Sequence, residues 1–393
     1  MTNSNSIRII VSGGGTGGHI FPAIAIAREI KEMKPDADIL FVGASGKMEM
    51  EKVPRAGFPI TGLPVSAFHR RLTLKNLMFP FHLAASLIKA GNVIRKFNPG
   101  LVIGTGGFAS GPVLRVATRK RIPSLIQEQN SFPGVTNRLV ARKVSLICVA
   151  YPEMEKYFPA DTLRLTGNPV RTDLVLPPEK KSGSAAAFGL NPGLPVVLVF
   201  GGSQGARTLN LCIAAHVRRL AQEPVQVIWQ TGTAFQSEAL LKVKEAGAAN
   251  IRVLDFIYNM DEAYAAASLV VCRSGAMTLS ELALVAKPSI LVPFPAAAED
   301  HQTKNARVYA DAGAAILVPD HEAEKYLVDT MLKLSSNQAE LNLMAEKVST
   351  FAKPEATHTI AELALSLVTC HSSLITDNNT PGFPPGATIT NHL

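Results

Sequence analysis

The 393-residue sequence has one tryptophan and four cysteines. Cys148, Cys212, Cys272 and Cys370 lie far apart, in neither a CxxC pair nor a Cys/His ligand spacing. That excludes a disulfide framework or a zinc site as the organising device, and leaves buried or incidental thiols in a reducing compartment. No uninterrupted apolar run reaches the ~18 residues of a membrane-spanning helix. The N-terminal stretch MTNSNSIRIIVSGGG lacks the basic start, long apolar core and cleavage site of a secretory signal. Acid is scarce in one region: between Lys52 and Lys143, 15 basic residues accompany a single carboxylate, Glu128. Residues 1–168 carry 22 Lys+Arg against 10 Asp+Glu and residues 169–393 carry 17 against 21, so the formal +8 is the sum of +12 and −4. A half so one-sided should draw an anionic partner: a membrane surface, a phosphorylated substrate or nucleic acid. The absence of RNP-like aromatics and of a zinc pattern argues against nucleic acid.

What is present is an alternation of short β-rich runs with longer helical patterns, the signature of βαβ units and parallel sheets. The strand candidates are IRIIVS, DILFVGA, GLVIGTG, PSLIQEQ and SLICVA in the first half, and PVVLVFGG, VQVIWQTG, IRVLDF, LVVCRSG, PSILVPF and AAILVP in the second. Each half opens on a strand, a glycine loop and a helix. The length suits two domains, and the pattern predicts an α/β fold of two Rossmann-like domains facing each other across a cleft, with ligand at the carboxyl ends of the strands. The Pro/Gly/Ser-rich stretch LTGNPVRTDLVLPPEKKSGSAAAFGLNPGLP marks the boundary. The expected division is a first domain over 1–168, a second over 169–350, a helix over 351–371 packing back on the first domain, and a disordered, aperiodic tail over 372–393.

Gly13, Gly15 and Gly18 fit G-x-G-x-x-G after a strand, the dinucleotide fingerprint. Its acidic partner is missing, because DILFVGA ends on Gly and Ala while Asp36 and Asp38 sit at the wrong end of that strand. A NAD-dependent oxidoreductase is therefore the weaker alternative. Three further loops, GTGGFASGP, FGGSQGAR and CRSGAMTLSE, repeat the strand-to-helix device. Four helix N-termini at one cleft suit a ligand with phosphates, although each loop singly is also a plain tight turn. In RSGAMTLSELA, Ser274–Thr278 fall at a helix start and Glu281 one turn inside, where a carboxylate accepts from a ribose diol; a glutamate favoured by the helix dipole is the bland alternative. His19, with an ordinary pKa near 6.5, is the candidate general base or acceptor-orienting residue, against a histidine that only bonds its own loop. Glu128 is the alternative base, against a salt bridge with a basic neighbour. The stretch FHRRLTLKNLMFPFHLAASLIK sets Arg70, Arg71 and Lys75 beside Leu77, Met78, Phe79 and Phe81, as in a peripheral membrane surface. Pro80 is read as interrupting the core-helix periodicity that would hide the same apolar set.

In order and spacing, GGGTGGHIFPA, GTGGFASGP, QEQNSFPGVTNR, TGNPVR, GGSQGAR, DFIYNM, RSGAMTLSEL and PFPAAAEDHQTKNA resemble the GT-B glycosyltransferases, specifically the N-acetylglucosaminyltransferases of bacterial peptidoglycan synthesis. The resemblance spans roughly residues 7 to 365. It implies the two-domain GT-B fold and inverting transfer of GlcNAc from UDP-GlcNAc to the 4-hydroxyl of MurNAc in lipid I (undecaprenyl-pyrophosphoryl-MurNAc-pentapeptide), giving lipid II, with no cofactor or metal. A diacylglycerol galactosyltransferase-like enzyme is the nearest alternative. It also implies a peripheral place on the cytoplasmic face of the cell membrane, against an anionic surface and alongside other cell-wall synthesis proteins. By motif, Arg171, Ser203 and Ile257 would line the UDP pocket. Ala276, Met277, Thr278, Leu279, Ser280 and Glu281 would hold phosphate and ribose, and Gln302 would reach the sugar. Thr16, Gly17, Gly18 and Asn130 would approach the donor from the opposite domain, and Gly14, Gly15, Gly106 and Gly107 would face the acceptor pyrophosphate.

Overall fold

The computed structural model describes residues 6–65, 79–171, 174, 183–202 and 205–377. The first seven strands are β1 (Arg8–Gly13), β2 (Asp38–Ala44), β3 (Ile60–Leu63), β4 (Leu101–Gly106), β5 (Ser124–Glu128), β6 (Leu146–Val149) and β7 (Leu163–Leu165). They form one sheet in the order β3-β2-β1-β4-β5-β6-β7. The next six are β8 (Val196–Phe200), β9 (Gln226–Gln230), β10 (Ile251–Leu254), β11 (Leu269–Cys272), β12 (Ser289–Leu291) and β13 (Ala315–Leu317), in a second sheet ordered β10-β9-β8-β11-β12-β13. Every pairing is parallel. Central strands such as VVLVF are buried at every position because helices cover both faces, and this is why they read as continuous apolar runs. The strands absent from the sequence reading, β3 and β7, are short, partly exposed edges.

The strand order reverses direction between β1 and β4 and again between β8 and β11. All four glycine loops follow these strands, so they lie where crossovers diverge and a crevice opens. The helix Gly17–Met33 buries Ile20, Ala23, Ala27 and Ile30 against the first sheet. Onto the same cluster the last helix, Ala356–Asp377, places Ile360, Ala361 and Ala364. Burying Ile360 alone contributes roughly 1.5–3 kcal/mol, and His358 Nδ1 meets Glu29 Oε1 at 2.7 Å. This helix runs on to Asp377, six residues past the expected end at 371, because HSSLITD contains no breaker; residues 378–393 lie outside the described residues.

Pro80 lies in the first described turn of the helix Phe79–Phe97, which continues past it without a break. Ser86, Ala90 and Ile94 face inward, while Phe81 and Ile88 are each 67% exposed. Arg70, Arg71, Lys75, Leu77, Met78 and the Phe79 side chain lie outside the described residues. Cys148, Cys212 and Cys272 are buried, and burial pushes the Cys148 thiol up to about 12 and the Cys212 thiol up to about 11.

Candidate active site

The ends of β1 and β4 slip register between Ser12 and Gly13, so that Gly13 pairs with Gly106. The two loops that follow nest into each other. Gly106 (φ 97°) and Gly107 (φ 83°) are in left-handed backbone, and neither has room for a side chain: a Cβ on Gly106 would lie 2.9 Å from His19 Nδ1, and one on Gly107 would overlap the Gly14 carbonyl. The imidazole therefore packs on bare backbone. Its Nδ1 lies 3.0 Å from Thr105 O and 3.1 Å from Gln129 Oε1, and Thr105 Oγ1 donates to His19 O at 2.8 Å. Gln129 Nε2 donates to the same Thr105 O, which fixes the amide with Oε1 toward the ring. Two acceptors on Nδ1 require the proton there, so the neutral ring carries its lone pair on Nε2. Burial lowers the His19 pKa, outweighing the Glu128 charge and the bonds from Gln129 and Thr105 that raise it. The ring is thus the neutral form at neutral pH.

Glu128 is otherwise engaged. It is 1% exposed, and its partners are backbone and amide N–H groups rather than the basic neighbour weighed against a base role. Oε1 accepts from Asn130 N and Nδ2 at 3.0 and 3.2 Å, and Oε2 accepts from Gly134 N and Asn137 Nδ2 at 3.1 and 2.8 Å. Four N–H donors satisfy the carboxylate, so its observed work is to fold the loop that follows β5. That loop crosses to the helix His301–Asp311 of the second sheet's unit. Asn305, fully buried, donates to Asn130 Oδ1 at 3.1 Å and accepts from Ser131 N and Oγ at 3.0 and 2.9 Å. Arg138 pairs with Glu299 at 3.3 Å, and Lys304 Nζ stands 3.2 Å above the Phe132 ring.

The first glycine loop has an internal anion. The carboxylate of Glu49, fully buried, accepts from Gly15 N at 3.1 and 3.2 Å and from Ala44 N at 2.9 Å. A Cβ on Gly14 would overlap that carboxylate. The Gly15 N–H is therefore spent inside the protein, and close packing accounts for Gly14, Gly106 and Gly107. Thr16 caps the helix Gly17–Met33 in extended backbone and, with Gly18, is exposed at the cleft end.

On the opposite side, the helix Ala276–Leu284 begins at Gly275 in extended backbone with no acid in its first turn. Ser274 Oγ donates to Gln302 O at 2.8 Å, and Gln302 Oε1 accepts from Phe294 N at 2.9 Å. Tyr264 OH donates to Glu281 Oε2 at 3.0 Å, and the Arg171 charge reaches the same tyrosine. Met277, Thr278, Ser280 and Glu281 are half-buried along this helix, whereas the side chains of Leu279 and Ile257 belong to the core, so these two can offer a ligand only backbone. Glu299 and Asp300 are held at φ 55° in the turn before Gln302. Ser203 lies outside the described residues. Sequence reasoning passed over Glu49, Gln129, Asn168 and Asn305, and also Arg273, which ties its loop to Val292 O and Pro293 O at 3.0 Å each and pairs with Asp320. Gln129, Asn168, Arg273 and Asn305 stood inside motifs already singled out; Glu49 stood outside them.

Residues 9–149 match the glycosyltransferase family 28 N-terminal domain and residues 196–360 its C-terminal domain. The chain is 47% identical over 368 residues to the UDP-N-acetylglucosamine–N-acetylmuramyl-(pentapeptide) pyrophosphoryl-undecaprenol N-acetylglucosamine transferase of Cytophaga hutchinsonii, covering 94% of this chain and 99% of that one. It is 49% identical over 361 residues to the enzyme of the same name from Parabacteroides distasonis, covering 92% and 98%. Among solved structures, Acinetobacter baumannii MurG superposes with a TM-score of 0.72 at 28% identity, covering 92% and 99%. The calicheamicin glycosyltransferase CalG4 shares the fold, with a TM-score of 0.66 at 15% identity, covering 92% and 99%.

Proposed function

The chain belongs to glycosyltransferase family 28, and on that footing we propose that His19 is the general base of its sugar transfer. The protein transfers N-acetylglucosamine from UDP-N-acetylglucosamine to N-acetylmuramyl-(pentapeptide) pyrophosphoryl-undecaprenol. The observation that carries the base assignment is the double commitment of His19 Nδ1 to Thr105 O and Gln129 Oε1, which leaves the Nε2 lone pair as the proton acceptor.

In this mechanism Nε2 takes the proton of the MurNAc 4-hydroxyl as that oxygen attacks the anomeric carbon, and the bond to UDP breaks on the opposite face, inverting the centre. The arrangement parallels inverting hydrolysis with a sugar hydroxyl in place of water. Negative charge grows on the departing diphosphate. The N–H groups of Ala276, Met277 and Thr278 at the start of Ala276–Leu284 stabilise it through their donors and the helix dipole. Glu281, oriented by Tyr264, accepts from the ribose diol. Arg171, Ser203 and the Ile257 backbone hold the rest of UDP, and the Gln302 amide meets the sugar. Asn130, Thr16, Gly17 and Gly18 close the donor site from the other side. Of the glycines assigned to the acceptor pyrophosphate, Gly106 and Gly107 keep that assignment best, since Gly15 N already serves Glu49.

Among the described residues no helix is long and apolar enough to cross a membrane. Peripheral attachment to the anionic cytoplasmic face is part of this proposal, and the surface of the first unit supports contact with an anionic interface. Helix Phe79–Phe97 packs on Ser110–Arg119, which packs on Val135–Val140. This layer exposes Phe81, Ile88 and Leu139 among Lys89, Arg95, Arg138 and Arg142. Apolar side chains with basic neighbours insert into and adhere to an anionic interface.

The test is incorporation of labelled sugar from UDP-GlcNAc into a lipid I analogue, with UDP-galactose and diacylglycerol as the control pair. Transfer in the first system only is expected. Absence of transfer by folded protein would overturn the assignment.

A further inference from the structure

The bonds that orient His19 do not stop at Gln129. Gln129 Nε2 donates to Gln127 Oε1, and Gln127 Nε2 donates to Asn168 Oδ1 at 2.9 Å. Asn168 Nδ2 donates to Ser280 Oγ at 2.9 Å, and Ser280 Oγ donates to Ala276 O at 3.1 Å. Starting from His19 Nδ1, five donors thus point the same way, from the glycine loop of the first sheet, along the end of β5, through the segment after β7, to the first turn of the helix Ala276–Leu284. Backbone carbonyls fix that direction, since Thr105 O and Ala276 O only accept. Asn168 Nδ2 is held further by Gln129 O at 3.1 Å. Gln127, Gln129 and Asn168 are at most 2% exposed, so water does not substitute for a lost link.

We propose that Gln129 and Asn168 are positioning residues of the transfer, forming with Gln127 an amide relay that ties the tautomer and angle of His19 to the seating of the helix that holds the donor diphosphate. The proposal deepens the assignment of His19 as base and rests on it. Rotating any one amide would set donor against donor at one neighbour and acceptor against acceptor at the other, so the chain responds as a unit. When the diphosphate seats the first turn at Ala276, Ser280 and Asn168 are held in the same register and the imidazole is held with Nδ1–H toward Gln129. The charged and titratable groups facing His19 are Glu128, from the end of β5, and His301, from the helix across the cleft. Both stay in place in every variant below.

The experiment compares Gln129→Leu, Asn168→Leu and Gln129→Glu with the unaltered protein, measuring kcat, displacement of a fluorescent UDP probe, Tm and the pH dependence of kcat/KM. The leucine variants should lose turnover by about 10-fold, within the ~2–30-fold span of network substitutions, while affinity for UDP changes less than about twofold. Gln129→Glu should move the acid limb of kcat/KM to higher pH, because a carboxylate against Nδ1 favours the imidazolium. A residue that only fills space would not move that limb. Turnover within twofold in both leucine variants, or an unmoved limb in Gln129→Glu, overturns the relay. If the leucine variants do not fold, the Gln129→Glu profile decides alone. His19→Ala measured alongside separates the two ideas: retained turnover there removes the base assignment, whereas an inactive His19→Ala with normal relay variants removes only the relay.

Discussion

Replacing Glu128 by glutamine separates two roles for the one carboxylate of the basic region. Glu128 now accepts four hydrogen bonds, two at each oxygen. Glutamine accepts at one end only, and its NH2 must face one of the two donor pairs. The end at Gly134 and Asn137 costs less, because Asn137 Oδ1 is a buried acceptor with no partner; a flipped Asn137 amide can take the new N–H. Gly134 N–H is then left without an acceptor. Loss of that charge-assisted bond amounts to roughly 1.5–3 kcal/mol, and weakening the remaining bonds brings the total to about 2–4 kcal/mol. For a unit of ~150 residues, at ~2–4 °C per kcal/mol, Tm should fall by roughly 4–16 °C. The loop that carries Asn130 and Ser131 to Asn305 should loosen with it, raising KM for UDP-GlcNAc. The Glu128 charge also raises the His19 pKa, so its removal should keep an acid limb in kcat/KM but shift it to lower pH. Differential scanning fluorimetry and a pH–rate profile make the measurement. A fall in kcat of more than about 100-fold at unchanged Tm would refute this account, since that is the mark of a lost general base.

His19→Ala should lower kcat by roughly 10²–10⁴-fold with nearly unchanged UDP affinity. In the unaltered protein the acid limb should fall below pH 6.5, since a lowered pKa keeps the ring neutral to lower pH. Glu281→Ala removes a charged acceptor worth ~1.5–3 kcal/mol to a ribose diol, so UDP affinity measured by calorimetry should drop about 10–100-fold; an unchanged Kd would displace Glu281 from the ribose. Phe81→Ser with Ile88→Ser should reduce sedimentation with anionic vesicles while leaving turnover on a water-soluble acceptor intact. His358 has its pKa raised first by its bond to Glu29, with Glu362 and Glu355 adding. The stability from that contact is therefore full below pH ~6.5 and lost as pH rises through the higher folded value. The Tm gap between the unaltered protein and His358→Ala should be wider at pH 5.5 than at pH 8.5, and an equal gap would show the pair contributes nothing.

Much of the fold was legible because strands covered by helices are largely apolar, and eleven of the thirteen described strands lie within β-rich apolar runs. ITGL and LRL do not: as short edges they bury only one flank, and their composition is that of loops. The local geometry of the candidate site was legible where a glycine loop or a helix start marks it, as at Gly106 and Glu281. It was illegible where buried amides are matched to each other. Gln127, Gln129 and Asn168 are ordinary polar residues in the sequence, and only the fold reveals that each one's donor meets the next one's acceptor. The surroundings of Glu128 were illegible for a related reason: a lone acid amid fifteen bases leaves both a base role and an ion pair open, and only the fold brings four N–H groups to its two oxygens.

Glu49 explains why fingerprint glycines here do not mark a dinucleotide site. In that fingerprint the N–H groups of the loop wait for a pyrophosphate. Here a buried carboxylate bridges Gly15 N and Ala44 N and neutralises the loop from within. A second anion near the same N–H would sit a few ångströms from that carboxylate, a repulsion of the order of several kcal/mol at a partly screened site. The loop is therefore formed before any ligand arrives, and its rigidity bears on His19, four residues further along the chain, rather than on a phosphate at Gly15. The corresponding N-terminus at Ala276 has no acid in its first turn, so its dipole end remains open to an anion. Under the proposed mechanism the same strand-loop-helix device would divide into two jobs: with an internal anion, a fixed mount for the base, and without one, the cradle for the leaving diphosphate.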